Sequence, residues 1–136
     1  MSSERSALEA LLDAAAGAAA ASWSPYSRFP VGAALAVADG SVVTGTNVEN
    51  RSFGLTICAE RAALVSAVAA GVREFRRIVV VSDSDPPASP CGACRQMLAE
   101  FGPALLVESI GPRQSQRWVL SELLPDAFTS HRLEAT

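Results

Sequence analysis

The 136 residues suffice for a single hydrophobic core, so one domain spanning 1–136 is expected. Hydrophobic residues make up 49%, which excludes a disordered chain, and the longest charge-free run, between Asp13 and Arg28, is too short to cross a bilayer. The net charge is −3 and all eleven basic residues are arginines, thinly spread, which argues against binding a nucleic-acid polymer and favours a small-molecule function.

Residues from about 6 to 22 predict a helix, because Leu8, Leu11, Leu12, Ala15 and Ala19 recur at three- and four-residue steps. This alanine-rich stretch has some likeness to a signal-peptide core. Glu4, Glu9 and Asp13 stand where such a signal needs positive charge, so a cytoplasmic protein is expected. Pro25 ends the helix. Val31 to Ala38 and Ser41 to Val48 are apolar runs joined at Asp39-Gly40, a strong hairpin signal.

Asn50 to Leu55 read as a loop, followed by a helix from Ile57 to Ala70 with Thr56 as N-cap and Gly71 as its stop. The β-branched run within Arg77 to Ser82 predicts a strand buried on both faces. Ser89 and Pro90 read as N-cap and first position of a third helix that ends before Gly102-Pro103. Ala104 to Glu108 form another strand, Arg117 to Leu120 an edge strand, and Glu122 to Phe128 a turn or short helix. Crossover helices and an opening hairpin together predict an α/β fold: a three-layer α/β/α sandwich around a mixed sheet of about five strands.

The chemistry lies in three cysteines: Cys58 within Cys58-Ala59-Glu60-Arg61, and Cys91 and Cys94 within Pro90-Cys91-Gly92-Ala93-Cys94. An odd count argues against a disulfide framework. Three protein ligands with one open position are how a catalytic zinc is usually held. Both groups fall at predicted helix starts, where partial positive charge lowers a thiol's pKa. Cys91 and Cys94 share one side of a helical turn, whereas Cys58 and Glu60 do not share a face. Glu60 is therefore read as a proton carrier rather than a ligand, and Arg61 and Arg95 as charges offsetting the thiolates.

Two other readings stay open on these residues alone. Pro-Cys-Gly-Ala-Cys after a buried strand also suits a thioredoxin-like dithiol using Cys91 and Cys94, though such a pair has no use for Cys58 and Glu60. A structural zinc closed by His131, the sole histidine, is the other.

Cys-Ala-Glu and Pro-Cys-x-x-Cys, 33 positions apart, match the zinc nucleobase deaminase signature with Cys in place of the first His. Tyr26 to Ala34, Asn47-Val48-Glu49-Asn50, Ser89 to Gln96 and the Glu122 to Phe128 tail sharpen this. From about Ala7 to Phe128 the chain resembles the small, homotetrameric cytidine deaminases. The resemblance implies one zinc per chain on Cys58, Cys91 and Cys94, and hydrolysis of cytidine and deoxycytidine to uridine and deoxyuridine with release of ammonia. Glu60 would carry the proton from water to ring N3 and help the amine leave. It further implies that Ala59 supplies backbone contacts, that Asn47 and Glu49 grip the ribose 3′-hydroxyl, and that Phe29 packs on the base. Phe128 would come from a neighbouring subunit.

Two positions depart from the family pattern. Arg51 stands where a small residue is common and Phe53 where a tyrosine is common, both in the loop expected near the 5′-hydroxyl. Losing the phenol removes one hydrogen bond, worth about 0.5–1.5 kcal/mol. Arg51 has two readings: a merely exposed side chain, or one that favours a substrate with a polar or negative group beyond the sugar, as in a nucleotide or an antibiotic such as blasticidin S.

Overall fold

Strand β1 (Val31–Val37) is built of small apolar residues throughout, and both of its faces are covered. Ala33 and Leu35 point into one buried cluster with Ile78, Val80 and Val107. Ala34 points the other way, against Leu11, Ala15 and Val79. The computed structural model describes residues 2–128, with side chains from Arg5 onward.

Among the described residues helix α1 (Ser2–Ala20) is the one helix on the Ala34 side. Helices α2 (Ala59–Ala69), α3 (Gly92–Ala99) and the short α4 (Leu120–Leu123) cover the other face. Between them runs a five-stranded sheet of order β2-β1-β3-β4-β5, with β2 at Val42–Thr46, β3 at Phe75–Ser82, β4 at Leu106–Ile110 and β5 at Ser115–Val119. Only β3 and β4 are parallel, joined through α3; the other neighbours are antiparallel. The three-layer α/β/α sandwich with a mixed sheet read from the sequence is the fold observed.

Two glycines set how closely the layers approach. A Cβ on Gly32 would stand 1.8 Å from the Ala15 carbonyl oxygen of α1, and one on Gly45 would stand 2.2 Å from the Ala63 nitrogen of α2. Both helices therefore lie directly against strand backbone. Two of the arginines near the start of β3 are taken up by the fold: Arg73 donates to the Val68 and Val72 carbonyls, and Arg77 pairs with buried Glu108 at 2.7 Å. Among the described residues no helix is long and apolar enough to cross a membrane.

Several boundaries differ from the sequence expectation. The α2 helix starts at Ala59 with Cys58 as N-cap, not at Ile57 with Thr56, because Ile57 is extended and bridges to Val48. Likewise α3 starts at Gly92 with Cys91 as N-cap. Ser89 and Pro90 are not its start: the Ser89 hydroxyl and the Pro90 carbonyl accept from Arg95 instead. The first helix stops at Ala20, and the last lies at Leu120–Leu123, ahead of the expected tail. Gly71, at φ +86, follows α2 as expected of a helix stop.

Candidate active site

The N-termini of α2 and α3 bring the three cysteines together on the same side of the sheet. All three sulfurs lie within 4.8 Å of one another. Cys58 Sγ is 3.7 Å from Cys91 Sγ, which is 3.4 Å from Cys94 Sγ. Thiolates at ~2.3 Å from one tetrahedral ion stand about 3.8 Å apart, so the donor set fits a single zinc-sized ion. Local folding explains the arrangement. Cys91 caps α3 with its sulfur, accepting from the Cys94 N–H at 3.4 Å.

Cys58 caps α2, so the first intrahelical bond runs from Ala62 N to the Cys58 carbonyl at 3.0 Å. The amides of Ala59 and Glu60 lie in the first turn, where the helix itself offers them no acceptor. Glu60 is the second residue of α2 and is only 6% exposed. Burial pushes its carboxyl above the usual range, and negative charge on Cys58 adds to the effect. That is the environment in which a carboxylate takes up a proton readily.

The Cys58 thiol is pulled down to about 5, chiefly by its contact with Cys94 and next by Arg61. Cys94 is pushed up by the same contact and by its burial. The Arg61 guanidinium lies 3.7 Å from Cys58 Sγ and donates to the Thr56 carbonyl at 3.1 Å, while its Nε is buried without a hydrogen-bond partner among the described residues. The Arg61 guanidinium thus stands beside a thiol. Arg95 does not: its N–H groups go to Pro90 O at 2.8 Å, Ser89 Oγ at 2.6 Å and Leu123 O at 2.8 Å. Its side chain turns back along the loop entering α3 and onto the end of α4.

Backbone pairing ties the segment of Asn47 and Glu49 to the residues that lead into Cys58. Val48 exchanges hydrogen bonds with Ile57, the residue before Cys58, while Trp23 N donates to Asn47 O and Glu49 N donates to Trp23 O. Asn47 is buried, accepting at Oδ1 from Val31 N at 2.9 Å and Ser22 Oγ at 2.6 Å, and donating to the Phe29 carbonyl at 2.8 Å. Glu49 accepts from Tyr26 N at 2.9 Å, from Ser27 N at 3.1 Å and from the Ser27 hydroxyl. The Ser27 hydroxyl is the main reason that the Glu49 carboxyl lies below its usual range. Asn47 and Glu49 thus brace the turn that presents half-buried Phe29.

Ser22, Ser27 and Gln96 are participants that sequence reasoning missed. Ser27 and Gln96 lie inside the motif segments, but nothing in residue type or spacing marks a serine or glutamine as a brace. Phe128 is held by Gln96 on α3 and is 61% exposed. Phe53 is 70% exposed and meets Tyr26 edge-on at 5.4 Å; Arg51 is exposed. His131 lies outside the described residues.

An α/β/α sandwich that clusters three thiols and a buried carboxylate at two helix N-termini defines a zinc-dependent deaminase class of protein. Residues 5–109 match the cytidine and deoxycytidylate deaminase zinc-binding region, and the chain belongs to that family. It is 54% identical over 108 residues to the cytidine deaminase of Halalkalibacterium halodurans, covering 78% of this chain and 82% of that one. Its fold superposes on the crystal structure of cytidine deaminase from Burkholderia pseudomallei with a TM-score of 0.85 and 48% identity, over 88% of this chain and 98% of the other. It is also 33% identical to the blasticidin-S deaminase of Bacillus cereus, over 76% of this chain and 79% of that protein.

Proposed function

We propose that this chain is a zinc-dependent hydrolase that deaminates cytidine and 2′-deoxycytidine to uridine and 2′-deoxyuridine with release of ammonia. The observation that carries the reading is the cluster of Cys58, Cys91 and Cys94 beside the buried Glu60 at the start of α2. Cys58, Cys91 and Cys94 are the proposed zinc ligands, one ion per chain. Bound there, zinc would supply a Lewis acid and an activated water.

Glu60 holds and moves the proton: it takes one from water, gives it to ring N3 and then assists the departing amine. Its raised pKa suits a group that must both accept and donate. Arg61 offsets part of the charge of three thiolates, which would otherwise blunt the metal's pull on water. The backbone N–H of Ala59, at the first position of α2, supports a role in orienting the reacting ring. Asn47 and Glu49 grip the ribose 3′-hydroxyl with an amide donor and a carboxylate acceptor.

Phe29 packs against the base, and Phe128 does so from a neighbouring subunit. Exposed Trp23, Phe53, Leu55 and Phe128 support assembly, here read as a homotetramer with sites at subunit boundaries. A reduced cytoplasm suits free thiols, and the product suits pyrimidine salvage.

The likeness to a blasticidin-S deaminase, together with exposed Arg51, favours one second reading: another cytosine nucleoside as substrate. The higher identity to a cytidine deaminase puts the ordinary nucleoside first. The dithiol redox reading has no support from a third sulfur 3.7 Å from Cys91. The test is ammonia release and the ultraviolet change with zinc-loaded protein on cytidine, deoxycytidine, their monophosphates and blasticidin S. Turnover of cytidine is expected to be the fastest; no turnover of any cytosine compound would defeat the reading.

A further inference from the structure

Gln96 spends its whole carboxamide on one residue. Nε2 donates to the Phe128 carbonyl at 2.7 Å, and Oε1 accepts from the Phe128 N–H at 3.2 Å. Two bonds to one residue fix where its backbone lies and which way it faces. One position earlier, Arg95 holds Leu123 O at 2.8 Å and, through Pro90 O and Ser89 Oγ, the loop entering α3. Successive residues of a single helical turn, directly after Cys94, therefore anchor the segment 123–128 at both ends.

The ring so anchored is not packed away. Phe128 is 61% exposed, and among the described residues the ring–ring contacts are Tyr26–Phe53 and Phe75–Phe101. A core phenylalanine would be held by burial, and a loose chain end would have no paired backbone. An exposed ring on a pinned backbone is displayed for something else to meet.

We propose that Gln96 is a positioning residue for substrate: it pins Phe128 so that the ring meets the cytosine nucleoside at a fixed place. This rests on the reading of Phe128 as a residue that packs on the base in a neighbouring subunit's site. Pinning the segment beforehand removes an ordering cost from nucleoside binding. Gln96 itself touches no reacting atom in this arrangement, so its loss weakens binding and leaves the chemical step intact.

The experiment compares zinc-loaded wild type, Gln96→Ala, Phe128→Ala and the double variant, with cytidine as substrate. Gln96→Ala is expected to raise KM roughly fivefold with kcat within about twofold, as the loss of two neutral hydrogen bonds implies. The double variant is expected to be no worse than Phe128→Ala, because both changes remove the same displayed ring. Gln96→Glu, which keeps the acceptor and loses the donor, is expected to fall between. Hydrogen exchange at the amides of residues 124–128 is expected to quicken in Gln96→Ala at unchanged zinc content. A fall in kcat at constant KM, or independent effects in the double variant, would overturn the proposal. A silent Gln96→Ala beside a damaging Phe128→Ala would overturn the clamp alone, and a silent Phe128→Ala would overturn the base-packing reading with it.

Discussion

Val48 and Ile57 exchange two backbone hydrogen bonds, each 2.9 Å long, and this short bridge ties the proposed sugar-gripping segment to the metal-binding one. Asn47 and Glu49 flank Val48, and Cys58 follows Ile57. The bridge can form only if α2 lies almost on the backbone of β2, and Gly45 permits that approach.

Gly45→Ala is therefore expected to destabilise the protein by about 1–3 kcal/mol, the usual cost of overpacking. Its added Cβ would meet backbone atoms, Ala63 N at 2.2 Å and Ala59 O at 2.6 Å, which cannot swing aside. Because those atoms belong to α2, kcat is expected to fall as well. Gly17→Ala is the control: nothing lies within 4 Å of its Cβ position, so helix propensity alone should stabilise by up to about 1 kcal/mol. Urea midpoints at constant slope measure both. Equal midpoints for Gly45→Ala and wild type would contradict the tight packing.

Cys58→Ser is expected to lose zinc and, with it, the stability that metal binding confers. At free zinc 1,000 times its dissociation constant that contribution is about 4 kcal/mol. Chelation of the wild type should lower its melting temperature, and zinc should restore it; the same titration should leave Cys58→Ser unmoved. Metal analysis per chain, read beside the melts, checks this. A Cys58→Ser protein that keeps a full zinc content would remove Cys58 from the ligand set.

Glu60→Gln separates ligand from proton carrier. Glutamine keeps the shape and loses the transferable proton, so turnover should fall by at least about 10²-fold. Zinc content should stay at the wild-type level. Stability should hold or rise, because the buried carboxylate is destabilised by desolvation. Loss of zinc in this variant would instead make Glu60 a ligand.

The layers, the hairpin and the parallel crossover were legible because hydrophobic period and turn chemistry are local signals. The grouping of Cys58, Cys91 and Cys94 was legible because metal chemistry restricts residue type and spacing. Helix starts were misplaced where partners other than the helix's own first turn claimed the residues expected to open it. Ile57 is drawn into the bridge with Val48, and Ser89 is taken by Arg95. Arg95 and Arg61 look equivalent in sequence, each close behind a cysteine. Only packing shows that one guanidinium faces a thiol and the other faces the Leu123 carbonyl. Ser22, Ser27 and Gln96 were illegible for the same reason, since their partners lie 22 or more positions away.

Glu49 offers a pH test that avoids the metal. Its folded pKa is depressed, mainly by the Ser27 hydroxyl, so the ionised form is favoured in the folded state. Such a group contributes stability that is present above the ordinary glutamate pKa and is lost as pH falls through the lower folded value. The stability gap between wild type and Glu49→Gln should therefore be constant near neutral pH and close on acidification below the glutamate range. Urea midpoints across that range measure it, and a gap that never closes would mean the Ser27 contacts do not favour the charge. The same variant tests the sugar grip. With cytidine, Glu49→Gln should raise KM; with 3′-deoxycytidine, wild type and variant should converge, because the hydroxyl that Glu49 is proposed to hold is gone. A variant that stays equally impaired on both substrates would reduce Glu49 to a brace for the Tyr26–Ser27 turn.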